Sequence, residues 1–61
     1  MELSLEDVGR GLYALVSPHL DEDSLENIDA AVQGADWRNV VTGLRHAAGV
    51  LHVELPEELA S

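Results

Sequence analysis

Asp36-Trp37-Arg38-Asn39-Val40-Val41-Thr42-Gly43-Leu44-Arg45-His46-Ala47-Ala48-Gly49-Val50-Leu51 is the stretch that decides the fold. Val40, Val41, Leu44, Ala47, Ala48 and Leu51 recur at spacings of three and four, the period of one face of an α-helix, with Arg38 and Arg45 on or near its polar flank. Asp36 stands where an N-cap residue belongs. The reading is a central helix from Trp37 to about His52, then a turn. Gly49 to Leu55 also alternates well enough to fit a short strand that could pair across a dimer.

Two further helices precede it. Ser4 followed by acidic Asp7 has the form of a capping box, and Leu3 and Val8 occupy the positions of a hydrophobic staple. Leu5, Val8, Leu12 and Leu15 then mark an apolar stripe widened by Val16, and Ser17-Pro18 ends it. Gly9 and Gly11 either admit a close helix–helix approach or are merely tolerated. The next helix starts at Leu20-Asp21, where Asp21 can cap and Asp21, Glu22 and Asp23 suit the positive end of the helix dipole. Leu25, Ile28, Ala31 and Val32 form its narrow stripe, and Gly34 supplies a C-terminal cap. Pro56-Glu57-Glu58-Leu59 predicts a closing helical turn, Pro56 first and Leu59 folded back on the core. The fold class expected is all-α: one helical domain over residues 1–61, a bundle of three helices plus a short C-terminal turn.

Composition speaks to partners. Twelve acidic side chains against three arginines and no lysine leave a formal charge of -9 on 61 residues. Such a field attracts a basic protein and repels nucleic acid and anionic membranes. With no cysteine, no clustered metal ligands and a Leu/Val/Ala core, a chain of this size is marginal alone, which points to association and a possible homodimer. The acidic start, Glu2, Glu6 and Asp7 after Met1, and the lack of any long apolar run predict a cytoplasmic location without membrane insertion.

Chemistry is sparse. His46 and His52, six apart, fall on different helix faces, so no metal and no cofactor is expected. The carboxylates gather at solvated helix starts and the serines lack a nucleophile elbow, so no catalytic residue is assigned and no enzyme activity is expected. The candidate partner-binding residues are Asp21, Glu22, Asp23, Glu26, Asp29 and Trp37. Glu26 and Asp29 lie off the apolar stripe with no evident structural work. Trp37 reads either as the centre of the core or as an interface anchor.

Gly34-Ala35-Asp36-Trp37, then Val41, Leu44 and Leu51, then Leu55-Pro56-Glu57-Glu58-Leu59, resembles the closing half of small helical immunity proteins paired with Maf-type polymorphic toxins. The resemblance covers roughly residues 24 to 60. It implies a protein that neutralises a toxin by binding it. Ala35 stands where that family usually carries Glu, and no toxin-contact residue is carried over. Two functions follow as expectations: an acidic inhibitor covering the basic surface of a partner such as a toxin nuclease, or a homodimeric helical docking or scaffold module.

Overall fold

The computed structural model describes residues 3–60, which form α1 (Leu5–Val16), a single 3-10 turn (Ser17–His19), α2 (Glu22–Gln33), α3 (Trp37–Leu51) and α4 (Glu57–Ala60). The expected all-α bundle with a short C-terminal helix is the observed one. Among the described residues there is no strand, so the helical reading of residues 49–51 holds over the strand alternative. No described helix is long and apolar enough to cross a membrane.

The capping box is present in full: the Asp7 amide donates to Ser4 Oγ at 3.1 Å, and the Ser4 amide donates to Asp7 Oδ2 at 3.3 Å. The other two starts differ from expectation. Asp21 and Asp36 hold the N-cap positions, but neither side chain accepts a capping bond. Their backbone carbonyls still accept from Leu25 and Val40, so each helix is initiated without the carboxylate. α4 begins at Glu57, one residue after the proline expected to open it.

Two helix ends share an unusual choice. Gly34 caps α2 with φ -81°, and the left-handed residue is Ala35 at φ 56°. The Ala35 amide donates to the Val32 carbonyl and the Asp36 amide to that of Ala31, a Schellman arrangement with alanine where glycine is usual. His52 does the same after α3, at φ 57°.

α1 and α3 make the core. Leu12, Val16, Val40 and Leu44 are fully buried, with Val8, Val41, Ala48 and Leu59 nearly so. Each of the buried Val and Leu side chains contributes about 1.5–3 kcal/mol relative to exposure. The core stripe of α1 is Val8, Gly9, Leu12 and Val16; Leu5 and Leu15, expected in it, are exposed. The close-approach reading of the glycines is the right one. A Cβ on Gly9 would lie 2.8 Å from Trp37 Cε3, and one on Gly11 3.2 Å from both Leu59 methyls. Gly43 likewise receives Ile28, whose Cδ1 would sit 3.1 Å from an added Cβ. Arg45 Nε donates to the Leu59 carbonyl at 3.0 Å, tying α4 to α3. The Cα trace is a plate, 34 × 27 × 14 Å.

Candidate protein-binding surface

α2 is built to be seen from outside. None of its residues is fully buried; Ile28, Ala31 and Val32 are half-buried against the core and hold it to α3. Asp21, Glu22, Asp23 and Glu26 are all exposed. Glu22, Glu26 and Asp29, spaced by four and three, share one face of the helix. With Leu25, Ala30 and Gln33 they line a shallow concavity of about 470 Å³.

Asp29 does have structural work, contrary to the sequence reading. Its Oδ1 accepts a hydrogen bond from the Tyr13 hydroxyl at 2.5 Å, linking α2 to α1 across 16 residues of sequence. That bond, then partial burial, then the nearby carboxylate charge, raise the Tyr13 pKa above its ordinary value. Among the acids of this face, Glu26 is left as the cleanest binding candidate.

Trp37 lies apart from this concavity. It is half-buried against the core, with Gly9 under its ring and the Arg10 guanidinium 5.0 Å from the ring centroid. Glu6 Oε2 holds Arg10 from one turn earlier at 2.9 Å. Arg10 and Glu6 are 63% and 49% exposed, so their ion pair orients the guanidinium more than it stabilises the fold. The tryptophan therefore joins α1 to α3, and the structure does not bring it together with Glu22, Glu26 and Asp29.

A second hollow, of about 340 Å³, opens where the end of α3 meets the start of α2. His19, Leu20, Asp21 and Ser24 form one wall, and His46, Ala47, Val50 and Leu51 the other. Val50 is 64% and Leu51 41% exposed. Sequence patterning missed this groove because it places Leu51 on the core stripe, whereas the last turn of α3 overhangs its partners. His19 and His46 share the groove, and His52 is not part of it.

These surfaces belong to a small, all-α, acidic bundle. Comparison with protein-family models, with curated proteins and with solved structures yields no match.

Proposed function

We propose that the chain is a non-enzymatic acidic binding module, an inhibitor of the immunity type that neutralises a basic protein such as a toxin nuclease. The observation that carries this reading is the group of exposed acids at the start of α2 and along it, Asp21, Glu22, Asp23 and Glu26, on a helix with no fully buried residue. A helix that buries none of its side chains fully presents exposed carboxylates to a cationic surface without disturbing the core. The resemblance to immunity proteins supports the same reading. No step of it calls for a cofactor, a metal or a catalytic residue.

The test is coexpression with the product of the neighbouring gene. If that product is a basic toxin, the chain rescues growth and forms a stable complex with it. Glu26→Lys slows association about tenfold at low salt, and the difference shrinks as salt rises. A neighbour that is harmless alone and does not bind the chain sinks the proposal. The exposed Leu5, Leu15, Val50 and Leu51 favour a second reading, a homodimeric scaffold module. Sedimentation velocity of the isolated chain decides it: a concentration-dependent dimer at micromolar protein supports the scaffold, and a monomer leaves the inhibitor.

A further inference from the structure

We propose that the groove between α3 and the start of α2 seats the apolar anchor of a basic amphipathic helix; this rests on the binding-module reading and names the shape of its partner. The groove combines an apolar lining with an uncommitted acid. Leu20, Ala47, Val50 and Leu51 line it, and the exposure of Val50 and Leu51 leaves aliphatic surface that nothing among the described residues covers. Asp21 lines the same groove and, although it holds the N-cap position of α2, its carboxylate makes no capping bond. That carboxylate is available to a cation, and exposed Glu22 and Asp23 follow it directly.

Charge selects among occupants. A second copy would bring another net charge of -9 against the first, whereas a basic helix brings the opposite sign. A helix laid along the groove puts one aliphatic or aromatic side chain between Leu20 and Val50 and a Lys or Arg against Asp21, the acid that lines it. The groove and the α2 concavity share α2 itself, Asp21 and Ser24 lining one and Glu22 and Glu26 the other, so one basic partner can engage both.

Two synthetic peptides separate the parts of this proposal: a helical Leu/Lys peptide with its leucines on one face, and a counterpart with Ser for every Leu and the same charge. In amide chemical-shift titrations the Leu/Lys peptide moves Leu20, Ser24, Ala47, Val50 and Leu51. Val50→Ser with Leu51→Ser weakens that peptide about tenfold and leaves the Ser/Lys peptide unchanged; Val50→Ser alone, checked by circular dichroism, gives a smaller loss in the same direction. If both peptides bind but shift only the outer face of α2, the groove assignment is wrong and the acidic-module reading stands. If neither binds, both are wrong. A dimer of the chain alone that Val50→Ser dissolves would make a second copy the occupant and overturn the inference.

Discussion

Among the described residues α1 and α3 supply seven of the eight buried hydrophobic side chains, Leu59 of α4 being the eighth, while α2 supplies none and carries five of the chain's twelve acids in and just before it, Asp21, Glu22, Asp23, Glu26 and Asp29. The first pair is joined by interdigitating aliphatics and by a glycine pressed against a tryptophan ring; α2 is held by three half-buried side chains and one tyrosine–aspartate bond. The contrast shows a division of labour in a chain too small to repeat itself. Stability resides in one helix pair, which leaves α2 free to carry a charge density that a core element could not tolerate.

The largest test of that division compares Leu44→Ala with Val32→Ala. Leu44 is fully buried and its truncation should cost about 3–4 kcal/mol, enough to unfold much of a domain this size. Val32 is half-buried, and its loss should cost about 1 kcal/mol. Urea titrations followed by circular dichroism give both values. Equal costs would mean that α2 belongs to the core as fully as α3 does.

Gly9→Ala sharpens the account of the tight interface. Alanine gains about 1 kcal/mol in helix propensity, but its Cβ would sit 2.8 Å from Trp37 Cε3, closer than the ring can accept without moving. Overpacking should win, for a net loss of about 1 kcal/mol, with a shifted Trp37 emission maximum. A stabilised Gly9→Ala protein with unchanged emission would show that the ring shifts freely and that the α1–α3 contact is looser than described.

Capping chemistry gives a smaller effect of opposite sign. Ala35→Gly removes the left-handed penalty on a residue with a Cβ and should raise stability by about 0.5–1 kcal/mol. A melting temperature that falls instead would argue against the Schellman arrangement at the end of α2.

The smallest stability change is expected for Asp29→Asn, whose main effect is spectroscopic. Tyr13 is the sole tyrosine, so ultraviolet titration reads it alone. Its folded pKa is raised, so the stabilisation it reports is fully present below the ordinary tyrosine value and is lost as pH climbs through the higher folded one. Asp29→Asn should bring that titration back toward the ordinary value. An unchanged titration would remove the tie between α2 and α1.

What sequence could convey depended on range. The Ser4–Asp7 capping box was legible because both partners lie within one turn. The stripes were legible in period but not in extent. Leu5 and Leu51 lie on the buried arcs of α1 and α3 yet are exposed, because each sits in the terminal turn of its helix, beyond its partners. Leu15 falls roughly 60° to one side of Leu12 on a helix of 3.6 residues per turn, just outside an arc whose direction only α3 sets. The acids of the candidate surface were found from charge alone, but the bond that commits Asp29 to Tyr13 spans 16 residues, and no local pattern encodes it.

The plate is only 14 Å through its thinnest direction, measured on Cα atoms. The Debye length is about 8 Å at physiological ionic strength and about 30 Å at 0.01 M. In dilute buffer the fields of the twelve acids therefore merge over a molecule of this size, and an approaching cation experiences a nearly uniform polyanion with no preferred side. Near physiological salt the field of each acid fades within about 8 Å of the surface, and a local cluster such as the acids of α2 stands out. Ionic strength thus governs the orientation in which a partner arrives as well as its speed, and moderate salt should raise the fraction of encounters that begin correctly posed while lowering their total number.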